Sequence, residues 1–195
     1  FRPENFSRMY SGAMPARKCI QQSLNVPAVR LLQWYGLDLF YKKLVQCGFS
    51  NLFRPSEEYG LSLILGGAEV TAWDLAKVYS GFANQLLNFN QSQEVNYSWM
   101  NTEISVLQNQ DSRSINQFSN PVISNAAIFE MIQTMKGAEL PEALSTHFYL
   151  NHQNKIAWKT GTSFGFKDAW CVGITPEYTM VVWVGNSSGL GRPGL

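Results

Sequence analysis

Apolar residues follow two different rhythms along this chain. In the first, they recur every three or four positions, as on a helix with one buried face. This spacing predicts a short helix over Pro15–Gln22, with Pro15 suited to the first turn. After Ser23-Leu24-Asn25, a second helix starts at Val26 or Pro27 and runs to Tyr35, with Val29, Leu31 and Leu32 turned inward and Gly36 as its stop. A third helix, Leu37–Cys47, places Phe40, Leu44 and Cys47 on one face, and Gly48 ends it. Thr71 is a candidate N-cap, with Asp74 at the capping-box position, for a helix over Ala72–Asn84 that buries Leu75, Val78, Tyr79 and Phe82. Ser124 caps another, Asn125–Lys136, with Ile128, Ile132 and Met135 on one side. Tyr59–Gly67 is rich in Gly and Leu but has no period, and reads as a buried loop or short strand.

The second rhythm begins at Ile156. Ile156–Ser163, Asp168–Ile174 and Tyr178–Gly185 are short apolar runs separated by turn residues, and predict three strands with a tight turn at Thr175-Pro176-Glu177. They should form an antiparallel meander with the Lys159 strand outermost. Residues 85–120 are dominated by Asn, Gln and Ser. They read as a long surface excursion, with room for short strands at Glu94–Trp99 and Ile104–Leu107. The class is therefore α+β, helices packed on an antiparallel sheet, in one domain over residues 1–195.

Composition narrows the chemistry. With 45% hydrophobic and 15% charged residues, 195 residues suffice for a globular core. A formal charge of +1 argues against a nucleic-acid binder, which usually carries a basic stripe. No apolar run is long enough to span a bilayer. Cys19, Cys47 and Cys171 are odd in number and form no CxxC pair, so they read as small apolar residues rather than a metal site or disulfide framework. His147 and His152 lie in a polar stretch and read as surface residues, which leaves neither a metal nor a Ser-His-Asp triad expected.

The chemistry concentrates in Lys159-Thr160-Gly161-Thr162, which closes the first apolar strand run. A cation, two hydroxyls and a glycine in a row suit a peptide that ends in a carboxylate. The cation supplies field, the hydroxyls supply donors, and the glycine admits another backbone. Read alone, the stretch is also an ordinary strand end, and Ser23 and Asn25 are also ordinary helix-end residues. Read together, Ser23-Leu24-Asn25 and Lys159-Thr160-Gly161 are similar to two of the three signatures of penicillin-interacting serine acyltransferases. The third signature, Ser-x-x-Lys, is not present. The residues three before the eight lysines are Pro15, Leu39, Phe40, Asp74, Gln133, His152, Ile156 and Phe164.

The run Ser23-Leu24-Asn25-Val26-Pro27-Ala28-Val29 resembles the second motif of class A penicillin-binding proteins, and the segments Tyr59–Val70 and Lys159–Trp170 resemble other parts of the same family. The resemblance covers nearly the whole chain except its polar middle. It implies part of a penicillin-binding transpeptidase fold, related to serine β-lactamases, that lacks the upstream Ser-x-x-Lys helix and the C-terminal end of the domain. It further implies D,D-transpeptidation of peptidoglycan stem peptides through an acyl-serine, inhibition by β-lactams, no cofactor, and a site outside the cytoplasm with the membrane anchor beyond this chain. Under it Ser23 relays a proton, Asn25 orients the substrate amide, and Lys159 supplies positive potential. Thr160 and Thr162 bind the carboxylate, and Gly161 leaves room for substrate. Asp168, Trp170, Tyr59 and Glu69 are read as structural. The strand Tyr178–Gly185 would leave a free apolar edge able to self-associate. A β-lactamase-type hydrolase and a non-catalytic peptidoglycan-binding module remain the alternatives.

Overall fold

The computed structural model describes residues 3–5, 8, 10–92, 121–138, 156–163 and 165–191, apart from the side chains at 88 and 90–92. The expected strands at Glu94–Trp99 and Ile104–Leu107, and both histidines, lie outside the described residues. Among the described residues, six α-helices precede the strands: α1 (Ala16–Gln21), α2 (Asn25–Tyr35), α3 (Leu37–Gln46), α4 (Ser56–Tyr59), α5 (Ala72–Ser92) and α6 (Asn125–Lys136). A 3-10 turn over Gly60–Leu65 follows α4 directly. The strands β1 (Ala157–Thr162), β2 (Asp168–Ile174) and β3 (Thr179–Gly185) form an antiparallel sheet in the order β1-β2-β3.

The helix boundaries follow local chemistry. Gly36, at φ 101°, is a conformation L side chains avoid, and it separates α2 from α3. Ser124 caps α6 by accepting from the Ala127 N–H. Thr71 caps α5 in the same way, accepting from the Asp74 N–H at 2.9 Å. Asp74 does not complete the expected capping box. Its buried carboxylate instead accepts from the Ser50 hydroxyl and N–H, which ties the loop after α3 to the start of α5.

Three expectations need correction. Tyr59–Leu65 is helical rather than a loop or strand, with left-handed glycines at the two ends of the 3-10 turn, Gly60 at φ 56° and Gly66 at φ 85°. Leu31 faces solvent. A helix advances 100° per residue, so a side chain two places from buried Val29 lies on the opposite face. Helix α5 continues through the Asn/Gln-rich stretch as far as Ser92. Gln85 explains part of that extension. It is only 1% exposed and donates to the Ile123 carbonyl and the Asn125 side chain, so a polar residue joins α5 to the start of α6 from inside the core.

Helices α5 and α6 cover one face of the sheet. Cys47, Val78, Phe82 and Ile128 form one buried cluster; Met135, Ala157 and Ile174 form a second where α6 meets the strands. Burial pushes the Cys47 thiol up to about 11, as expected of a cysteine used as a small apolar residue. The opposite sheet face carries Met180, Val182 and Val184, all exposed, and no strand beyond β3 is seen among the described residues.

The hydrogen bonds of Gln85 predict a stability effect. Gln85→Ala leaves a buried acceptor without its donor and opens a gap, so it should lower the unfolding free energy by about 1–3 kcal/mol. Urea unfolding would measure this. An unchanged midpoint would mean that the buried amide does not hold α5 to α6.

Candidate active site

The Ser23 turn is built by the end of α1. The Ser23 N–H donates to the Ile20 carbonyl at 3.1 Å, and the Leu24 N–H donates to the Cys19 carbonyl at 2.9 Å. This paired 5→2 and 6→1 arrangement is the Schellman motif, whose left-handed position glycine normally occupies. Here Ser23 takes it, at φ 53°. A side chain in that region costs on the order of 1–2 kcal/mol, and the turn keeps a hydroxyl in return.

Lys159 reaches that hydroxyl from the other end of the chain. Its Nζ donates to Ser23 Oγ and to the Thr160 carbonyl, the latter at 2.9 Å. The contact joins residues 136 apart in sequence. Helix α6 makes it possible. Gln21 Nε2 donates to the Thr134 carbonyl at 3.1 Å, and Arg17 pairs with Glu130 at 2.7 Å, so α1 is fastened to α6. Met135 of α6 packs in turn on Ala157 of β1. The helix is thus a bracket between the Ser23 turn and the Lys159 strand.

Lys159 is half-buried. Burial holds its ammonium below the ordinary lysine range, and the neighbouring Cys171 thiol opposes this more weakly. The same proximity works on Cys171, whose thiol is raised by burial and partly lowered by Lys159. Among the described residues no carboxylate pairs with Lys159. A half-buried amine donating to a serine hydroxyl can bias that hydroxyl toward giving up or passing on a proton.

Thr160, Gly161 and Thr162 continue β1 and are all exposed. The β1–β2 register sets Thr160 opposite Cys171, Gly161 opposite Trp170 and Thr162 opposite Ala169, so the two threonines share one face and Lys159 and Gly161 the other. A Cβ on Gly161 would meet only Trp170 Cβ, at an ordinary 3.8 Å, and Gly161 is not among the positive-φ glycines. Nothing within the described fold therefore demands glycine there.

The hairpin beyond is held by Asp168. Its carboxylate accepts from Ser163 Oγ at 2.7 Å and from Trp183 Nε1 at 2.9 Å, while its N–H donates to Ser163 Oγ. Gly185 admits this arrangement, since a Cβ there would lie 2.5 Å from the Trp183 ring and 2.7 Å from the Asp168 carboxylate. The structural roles expected of Asp168 and Trp170 are seen here, with the Trp170 and Trp183 rings 6.2 Å apart. Tyr59 and Glu69 are likewise structural. The Tyr59 hydroxyl donates to Glu69, which pairs with Arg54 at 2.7 Å, and the Arg54 guanidinium lies 4.3 Å above the Tyr59 ring.

Of the residues singled out in the sequence, Ser23 and Lys159 are brought into contact. Asn25 opens α2 two residues after Ser23, but its amide nitrogen donates to the Glu4 carbonyl at 3.0 Å. Sequence reasoning missed this neighbour, which carries no local pattern because the contact arises from a distant segment.

Comparison with known proteins points the same way. A family model described as the penicillin-binding protein transpeptidase domain matches residues 4–191. Penicillin-binding protein 1C of Escherichia coli K12 is 30% identical over 191 residues, covering 97% of this chain and 22% of that protein. Penicillin-binding protein 1B of Vibrio cholerae is 27% identical over 188 residues, covering 94% and 22%. Penicillin-binding protein 4 of Bacillus subtilis is 26% identical over 188 residues, covering 95% and 28%. This chain thus spans roughly a quarter of the length of such relatives. The crystal structure of penicillin-binding protein 1A from Haemophilus influenzae superposes with a TM-score of 0.67 at 22% identity, covering 97% of this chain and 32% of that one, a likeness of fold.

Two outcomes follow from the geometry of the turn and the lysine. Ser23→Gly and Ser23→Ala both delete the hydroxyl, but only glycine relieves the left-handed strain. The glycine variant should therefore be the more stable of the two by about 1 kcal/mol in urea unfolding. An alanine variant of equal or greater stability would contradict the strain argument. For Lys159, burial disfavours the charged form, so its proton should leave at a lower pH than from a solvated lysine. Acetylation of Lys159 followed by mass spectrometry across pH should give a midpoint below 10.5, and a midpoint at or above 10.5 would count against burial.

Proposed function

The chain belongs to the penicillin-binding protein transpeptidase family, and from that premise we propose that it forms the substrate-binding and proton-relay side of a peptidoglycan D,D-transpeptidase. One observation carries the reading: a half-buried lysine on a sheet-edge strand donates to a strained serine hydroxyl on a helix–helix turn. The attacking serine and its partner lysine come from polypeptide outside these 195 residues, which contain no Ser-x-x-Lys. The domain works outside the cytoplasm. None of the described helices is long and apolar enough to cross a membrane.

A stem peptide ending in D-Ala-D-Ala, or a β-lactam in its place, lies along β1. The serine gives its proton to its partner lysine as its oxygen attacks the penultimate D-Ala carbonyl; the ester forms as the C–N bond breaks, and the nitrogen takes up a proton, leaving as free D-Ala or, in a β-lactam, staying tethered in the opened ring. Ser23 passes that proton, since a hydroxyl both gives and accepts one. Lys159 lowers the cost of proton movement through Ser23 and attracts the substrate carboxylate. Its depressed affinity for its own proton suits an exchange with Ser23. The Thr160 and Thr162 hydroxyls bind the carboxylate, Gly161 leaves room for the substrate backbone, and Asn25 orients the substrate amide. The Thr162 N–H gives one half of the oxyanion hole. A second amine, from another stem peptide, then takes the acyl group and completes the crosslink.

A fluorescent penicillin tests this. The full-length protein should take up one covalent label per chain, and these 195 residues alone should take up none. Ser23→Ala and Lys159→Ala in the full-length protein should each slow labelling by on the order of 100-fold or more, with folding intact. Near-normal labelling of either variant would remove that residue from the mechanism. Rapid loss of the label by hydrolysis would instead identify a β-lactamase-type hydrolase, and no label at all would identify a non-catalytic module.

A further inference from the structure

The segment Pro3–Asn5 lies beside the start of α2, although 20 residues separate Asn5 from Asn25 along the chain. Asn5 is a buried polar residue at 6% exposure, and its Oδ1 accepts from the Val26 N–H at 3.1 Å. Helix α2 has no cap of its own. Leu24 stands at the N-cap position and offers no side-chain acceptor. The first turn of a helix leaves N–H groups unpaired, and an uncapped start frays. Here the cap comes from a residue distant in sequence. The next residue toward the N-terminus completes the arrangement, because the Glu4 carbonyl accepts from Asn25 Nδ2 at 3.0 Å. A carbonyl only accepts, so the amide nitrogen of Asn25 must face Glu4. Its Oδ1 and second N–H remain for other partners. The Asn5 carbonyl also accepts from the Arg8 N–H at 2.9 Å.

We propose that Asn5 is a positioning residue of the active site: by capping α2 from outside, it fixes the backbone from Ser23 to Val26 and sets the Glu4 carbonyl that orients the Asn25 amide. This inference rests on the transpeptidase reading of Ser23, Asn25 and Lys159. The strained φ of Ser23 makes the support necessary. A residue held in a sparsely populated conformation relaxes unless its surroundings fix both sides. The Schellman bonds to α1 fix one side and the Asn5 cap fixes the other.

The test compares acylation of the full-length protein by fluorescent penicillin in three variants, alongside urea unfolding of each. Asn5→Ala removes the acceptor and should slow acylation by on the order of 10- to 100-fold, the scale of a small misplacement of reacting groups. Asn5→Asp retains an acceptor at the same place and should recover most of that loss, which a merely structural filler would not do. Ser50→Ala removes hydrogen bonds to Asp74 instead. It serves as the control for stability loss and should leave acylation near the parent rate. The proposal is overturned if Asn5→Ala acylates normally, if Asn5→Asp fails as badly as alanine, or if Ser50→Ala slows acylation as much at equal stability. Absence of acylation in the unaltered protein would refute the transpeptidase reading itself, an outcome distinct from each of these.

Discussion

The contact between the Lys159 ammonium and the Ser23 hydroxyl is the constraint on which the rest of the arrangement depends. It requires a serine in a left-handed conformation, a strand that ends beside it, and a rigid body joining the two. The Schellman turn supplies the first, β1 the second and α6 the third. Each part costs something locally. Ser23 gives up backbone comfort, and Lys159 loses hydration in becoming half-buried. The folded domain carries these costs because the α1–α6 contact and the cluster of Met135, Ala157 and Ile174 lie on the elements that flank the site.

The same logic orders the surrounding polar groups. Asp168 organises the hairpin after β1 through Ser163 and Trp183. Arg54, Glu69 and Tyr59 organise the segment around the 3-10 turn, which packs against α2. Gln85 joins α5 to the start of α6. In each case a buried or half-buried side chain satisfies backbone or partner groups that two separate elements would otherwise leave unpaired. The Thr160-Gly161-Thr162 stretch, by contrast, is exposed, and among the described residues its side chains make no hydrogen bond.

Much of this was legible in the chain alone. Local signals decide where a helix starts and stops, so Pro15, Gly36, Ser124 and the period of Val78, Phe82, Ile128 and Met135 marked the helices closely. Short apolar runs between turn residues marked the three strands and their order. The types and spacing of Ser23, Asn25 and Lys159 marked the family. What the sequence could not show were contacts whose partners lie far apart. Asp74 looked like half of a capping box, but its carboxylate turned to Ser50, because a buried charge goes to whichever donors the tertiary fold brings near. Gln85 looked like the first residue of a polar excursion and became a core residue. Asn5 belongs to none of the elements predicted from the sequence, yet it caps a helix 20 residues on. Backbone propensity and periodicity act within a few residues, so the sequence by itself determined the elements and the chemistry they carry. Hydrogen-bond satisfaction and burial act across the whole molecule, and only the tertiary structure decided which of those elements meet and which polar groups hold them there.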